Sequence, residues 1–278
     1  MVYFNQENRL PFKFTPLGRI IEFLRLLYVS TINEIRGGSA NALKAILMRV
    51  VQMVIMIVAF FALMSFTGLR NMGLRGDQIL FTASGIFLFF IMNGAFKAAL
   101  DQNPNAGQNM HAPITPLLTL LSSALAQLYI NILTIFLIGL IIHTLIEPIS
   151  VDNPKKLAAA VFWTWICGIS IGTVFGGVGA FFPIVKSLAP MIMMRLNMVF
   201  SGKMFAANSL PAAMIPFFWW NPLFHTIDQA RDAIFLNYTA RYTTMEYTMW
   251  FTFAAFAIGL MLLHAAKKLV SASWGARA

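Results

Sequence analysis

Repeated runs of apolar residues, each about as long as a helix needs to cross a bilayer, constrain this chain more than any other feature. Inside lipid no water pairs with backbone N–H and C=O groups, so only helices and closed barrels span it. Barrel strands read as short alternating segments, whereas these runs are continuous. The expectation is an all-α polytopic membrane protein with six transmembrane helices, at about 45–67, 79–99, 117–143, 157–180, 190–207 and 247–265. Only 11% of the residues are charged and 59% are hydrophobic, against about 25% charged in an ordinary soluble domain.

A net charge of +10 raises the question of nucleic acid, but the basic residues form no single patch. They gather in an N-terminal arm (Arg9, Lys13, Arg19, Arg25, Arg36, Lys44, Arg49) and a tail (Lys267, Lys268, Arg277). This is the positive-inside pattern; it places both termini in the cytoplasm and argues against a nucleic-acid partner. Arg70 and Arg75, in the short turn 68–78, weakly oppose it. The single cysteine, Cys167, excludes an internal disulfide and a Cys-based metal cage. No signal peptide is apparent, because the first span follows about forty residues of mixed, charged sequence.

Residues 1–44 divide into a polar arm and an amphipathic helix from Pro16 to Gly37-Gly38; residues 45–278 carry the spans. Leu17, Ile20, Ile21, Leu24, Leu27, Tyr28, Thr31 and Ile35 recur at helical spacing, with Arg19, Glu22, Asn33 and Arg36 mostly elsewhere on the wheel. Such a helix lies along a membrane surface with its arginines toward anionic head groups, or packs on a soluble partner. In the fourth run Gly168, Gly172 and Gly176 recur every fourth residue, spacing that lets helices approach closely. Residues 181–190 are expected to turn on the inner side.

The stretch from Pro190 to Tyr238 is unlike the other runs. It starts apolar, breaks at Pro211, Pro216 and Pro222, and carries Phe217-Phe218-Trp219-Trp220. Asn221 is suited to capping a helix and Pro222 to its first position. That helix runs to about Leu236 with an apolar face of Leu223, Ile227, Ala230 and Ile234; Asp228 and Arg231, three apart, are placed to pair. Irregular backbone at membrane depth survives only where protein buries it or water lines it. A gate fits this stretch, and so does an extracytoplasmic loop with an interfacial helix. The aromatics form either an interfacial belt or flat faces along which sugar rings slide. Arg195 either faces a water-filled interior, as ionisable groups within spans do, or snorkels to head groups; Lys203 either joins it on the path or reaches the outer side.

Arg195, Ser201-Gly202, Leu210-Pro211, Asn221-Pro222-Leu223, His225 and Arg231, followed by an apolar span after Glu246-Tyr247, carry a resemblance. In this order and spacing the segment resembles the C-terminal part of ABC-type-2 permeases, especially those exporting capsular polysaccharide and O-antigen. The likeness extends more loosely over most of the chain. It implies a re-entrant outer helix pair between spans five and six, at about 208–238. It implies a homodimer joined to two copies of an ATP-binding subunit in a bacterial inner membrane. Arg195, Lys203, Phe217, Phe218, Trp219, Trp220, Asn221, Pro222, His225 and Arg231 then become candidates for the substrate path or gate. Residues 100–116, an ordinary interspan loop on composition alone, become a contact with the ATPase subunit, through Asp101, Asn103, Asn105, Gln108 and His111.

Nothing in the chain suggests chemistry of its own. The G-x-x-x-x-G-K-[ST] phosphate loop is absent, since Gly176-Gly177-Val178-Gly179 lacks the Lys and the following hydroxyl residue. His111, His143, His225 and His264 are scattered, without metal-ligand spacing. A transport subunit without a bound cofactor, exporting a lipid-linked or otherwise anionic polysaccharide and working with lipids around it, is the expectation; ATP belongs to the partner subunit. The alternatives are an ABC-type-2 exporter of lipids or drugs, and an integral membrane enzyme or assembly factor acting on lipid substrates. The last would need paired acids or histidines near an interface.

Overall fold

The computed structural model describes residues 16–37, 42–66, 78–101, 116–146 and 148–275. Among these residues the regular structure is all helical, with no strand. In order come α1 (Pro16–Gly37), α2 (Ala42–Phe66), α3 (Gln78–Leu100), α4 (Pro116–Leu145), α5 (Pro154–Phe181) and α6 (Pro183–Phe200). A 3₁₀ turn (Ala207–Ser209), α7 (Ile215–Trp219), α8 (Pro222–Ile234) and α9 (Met245–Gly275) follow. Among the described residues five helical stretches are long and apolar enough to cross a membrane: Leu43–Phe66, Gln78–Leu100, Leu117–Leu145, Pro154–Phe181 and Met245–Ala266. The chain is thus a polytopic all-α membrane protein.

α3 is the axis of the bundle: its span is 83% buried by the rest of the chain, against 17% for the α2 span. The glycines of α5 explain how α3 becomes so enclosed. A Cβ on Gly168 would stand 2.5 Å from the Met92 carbonyl oxygen, and one on Gly172 would stand 2.4 Å from that of Phe96. Only a residue without a side chain lets the two backbones meet at this distance. The four-residue glycine spacing is therefore used within the chain, to seat α5 on α3. On its other side α5 receives α9, where a Cβ on Gly259 would stand 2.4 Å from the Thr173 hydroxyl oxygen. α1 packs against α4. Its Ile20, Ile21, Leu24, Tyr28 and Val29 remain exposed.

The fifth apolar run is placed differently from its expected bounds of 190–207. α6 begins at Pro183, because Phe182 alone separates it from α5 and Pro183 occupies a position where no N–H is needed. Most of residues 181–190, expected as a turn, are therefore helix, and Pro190 lies inside it. α6 ends at Phe200, where Ser201 leads into Gly202 with φ +67°. A β-carbon is disfavoured at that φ, and one on Gly202 would stand 2.5 Å from the Phe224 ring.

At 18 residues α6 is about 27 Å long, while α3 at 23 residues is about 35 Å. Near its end Asn197 hydrogen-bonds Asn93, about two-thirds of the way down α3 from Gln78. α6 thus stops partway along the bundle. The space beyond it, at the end where α3, α5 and α9 begin, is filled by residues 201–244.

Candidate functional site

The filling segment is built around α8. Asn221 caps it as its residue type suggests: the side-chain oxygen accepts from the Leu223 N–H at 3.0 Å, and Pro222 stands in the first turn. The expected apolar face, Leu223, Ile227, Ala230 and Ile234, is buried. So is the polar face: His225, Thr226, Asp228 and Arg231 are each at most 1% exposed. α8 is enclosed on all sides, so the interfacial helix with one wet face, one of the two expectations, is not what forms.

Burying so many polar groups requires partners for each. At the N-terminal end the Asn221 amide donates to Asn197 Oδ1 at 3.3 Å, the Asn197 amide donates to Asn93 Oδ1 at 3.3 Å, and the Asn93 amide donates to the Phe89 carbonyl at 2.8 Å. Three asparagines thereby tie α8, α6 and α3 together. His225 Nδ1 accepts from the Thr244 N–H at 3.2 Å, so its Nε2 carries the proton and donates to the Trp219 carbonyl at 2.7 Å. Its ring stacks on Tyr247 at 4.4 Å. His225 thus joins α7, α8 and the start of α9.

Asp228 and Arg231 take separate partners, which corrects the i,i+3 pairing suggested by their spacing. Asp228 Oδ1 accepts from the Tyr238 hydroxyl and from the Ala207 N–H at 3.4 Å, and Oδ2 accepts from the Thr243 hydroxyl at 2.7 Å. Burial, then the carboxylate's charge, push the Tyr238 phenol up, which keeps it a donor. Arg231 donates to the carbonyls of Gly202 at 2.9 Å, Phe205 at 2.7 Å and Lys203 at 2.7 Å, and lies 3.7 Å from the centre of the Phe81 ring. Its fork closes the turn that follows α6, and Gly85 leaves room for it: a Cβ there would stand 3.0 Å from Arg231 Nη2. Lys203, 1% exposed, sets its ammonium 3.8 Å over Phe89 and 4.9 Å over Phe60, with Met198 Sδ at 3.2 Å. Among the described residues it meets aromatic and thioether surface rather than a carboxylate. Ser201 Oγ and Arg231 Nε are buried without a hydrogen-bond partner.

At its C-terminal end α8 is fastened to α5. Lys156 pairs with Asp232, and the Asn153 N–H donates to the Ala233 carbonyl at 2.9 Å. α8 therefore runs from the asparagine ladder, deep along α3, to the first turn of α5 at the bundle end.

The aromatic run divides. Phe218 is buried, 5.0 Å from Phe205 and 5.8 Å from Phe224 between ring centres. That makes it core, so it cannot belong to an exposed sliding surface. Phe217, Trp219 and Trp220 are exposed at 65%, 45% and 46%. Arg195 is exposed on α6, about 160° round the helix from buried Asn197, and is not brought together with the buried cations. Of the predicted ATPase-contact residues, Asp101 is exposed just past the end of α3; Asn103, Asn105, Gln108 and His111 lie outside the described residues. Asn93, Asn197, Gln229 and Thr243 escaped the sequence reading, and Tyr238 was read only as one of the aromatics at the end of the Pro190–Tyr238 stretch, not as a partner of Asp228. The signal available for the first two was an isolated asparagine within an apolar run.

Comparison with known proteins gives the family of the chain. Two Escherichia coli proteins, each named polysialic acid transport protein KpsM, are 27% identical to the chain over 183 residues, covering 66% of it and 70% of each relative. The ABC-2 type transporter family matches residues 26–235, from within α1 to just past α8. By that match the chain belongs to the ABC-2 type transporter family.

Proposed function

We propose that this chain is the permease subunit of an exporter that carries a polysaccharide, in the form of a lipid-linked capsule or O-antigen glycan, across a bacterial inner membrane. A separate ATP-binding subunit, present in two copies, would drive a homodimer of it. The observation that carries the reading is the segment 201–244, whose helix α8 and leading turn bury a set of polar side chains in one end of a largely apolar bundle, in a chain similar to polysialic acid transport proteins. In this reading α6 is a sixth span that stops short, and α7 and α8 form the re-entrant pair closing the outer side. The termini lie in the cytoplasm. α1 rests on the inner surface, and residues 100–116 seat on the ATPase. Exposed Arg195 would meet the anionic cargo between two copies, and Phe217, Trp219 and Trp220 would line the exit.

The test is surface glycan measured by antibody, normalised to permease in the membrane, in a strain lacking this chain and complemented with variants. The expected result is that Trp219→Ala with Trp220→Ala lowers export at least several-fold at unchanged permease level, and that Arg195→Ala lowers it more than Arg195→Lys. Wild-type export from both alanine variants would return these residues to belt and anchor. A null strain with undiminished glycan would overturn the reading altogether.

A further inference from the structure

Arg49, counted among the N-terminal basic residues, belongs to none of the buried clusters described above. It lies inside the α2 span, about two turns from Ala42, which sets it roughly 10 Å along the helix axis. It is half-buried. One guanidinium nitrogen donates to Gln127 Oε1 of α4 at 3.0 Å, and the Phe90 ring of α3 lies 5.5 Å away. Among the described residues no carboxylate pairs with it. A guanidinium carries five N–H donors, and here a neutral amide takes one of them.

A second observation comes from the same three helices. The point where a Cβ on Gly94 would stand is 3.0 Å from Asn131 Nδ2 and 3.7 Å from Gln127 Oε1, so the two amides share one niche. Asn131 is 0% exposed, and its Oδ1 has no donor. Buried acceptors are nearly always satisfied. An ionisable group in a span ordinarily finds a partner or marks a ligand path. Among the described residues the cluster thus lacks an anion for Arg49 and a hydrogen-bond donor for Asn131.

We infer that Arg49, positioned by Gln127, binds the phosphate ester of a lipid entering between the helices beside α2. A planar fork matches phosphate oxygens two at a time. A phosphate ester bearing glycerol or a sugar also brings hydroxyl donors. Two sources share this chemistry, a bilayer phospholipid and a lipid-linked glycan; assignment to the second rests on the export reading above.

The test uses the purified full-length chain in phosphatidylcholine nanodiscs, reading the thermal unfolding midpoint. The probes are phosphatidylglycerol against diacylglycerol, and farnesyl phosphate against farnesol. At least one phosphate probe should raise the wild-type midpoint by about 3–5 °C at saturation, while diacylglycerol and farnesol do not. Arg49→Gln should lose the shift, and Arg49→Lys should keep a reduced one. Should Arg49→Gln fail to purify, Gln127→Leu takes its place, since it leaves the charge but removes its support; it should also weaken the shift. A response to phosphatidylglycerol alone assigns the site to bilayer lipid, and a response to farnesyl phosphate assigns it to the lipid-linked class. No shift in the wild type, or the same shift in the variants, overturns the inference. Phosphate binding that depends on Arg49 in a chain that exports no glycan would sink the export reading and leave this one standing.

Discussion

Gly202 is the residue on which the end of α6 turns. Its φ of +67° and the Phe224 ring 2.5 Å from any added Cβ exclude a side chain, and its carbonyl accepts from Arg231. Gly202→Ala should destabilise the chain by about 1–3 kcal/mol through backbone strain alone, with the ring clash added. A lowered thermal unfolding midpoint in nanodiscs checks this. Asn221→Ala removes both the cap, about 1 kcal/mol, and the first link of the asparagine ladder. Asn221→Asp, which retains the capping oxygen but cannot donate to Asn197, should recover only part of the loss. Full recovery would reduce Asn221 to its cap. The cap and the proline at the helix start were legible in Asn221-Pro222 because capping is local. The partners of Asp228 and Arg231 were not. Spacing says which groups are able to meet on an isolated helix, whereas Tyr238, Thr243 and the carbonyls after α6 compete for them only once the chain has folded back.

At the scale of elements, two contacts decide the arrangement. The first is the glycine seam of α5 on α3, legible as a spacing although the facing helix was not. Gly172→Leu must push the Phe96 carbonyl away from a 2.4 Å approach; membrane-inserted protein should fall several-fold by immunoblot. The same change at Gly139, which has open space where a Cβ would go, should leave the level unchanged. The second is the attachment of α8 to α5 by Lys156 and Asp232. A double-mutant cycle between Lys156→Ala and Asp232→Ala should give a coupling of about 1 kcal/mol, measured by thermal unfolding; additivity would make the pair incidental. The apolar runs gave most spans to within a few residues, because length and hydropathy set them. α6 was misplaced because its boundaries depend on Phe182, on a tolerated Pro190 and on Gly202, none of which changes the local hydropathy much.

For the whole molecule the charge pattern predicts sidedness. Reporter fusions after Ala99 and after Lys268 should report a cytoplasmic location and one after Asp152 an extracytoplasmic one; a cytoplasmic signal at Asp152 breaks the topology. The wedge of residues 201–244 carries a further consequence. A plug of leucines and phenylalanines, once parted, would present oil to any hydrophilic cargo, and the breach would close on itself. If the segment is the proposed gate, the surfaces held shut include, beside the apolar face of α8, amides, hydroxyls, an imidazole, a carboxylate and two cations. Each internal hydrogen bond broken on opening is replaced by one to water, so the net difference is small. In the proposed gate, the polar groups that help seal a closed bundle would therefore also wet an open one, and a hydrated passage would need no second set of residues to line it.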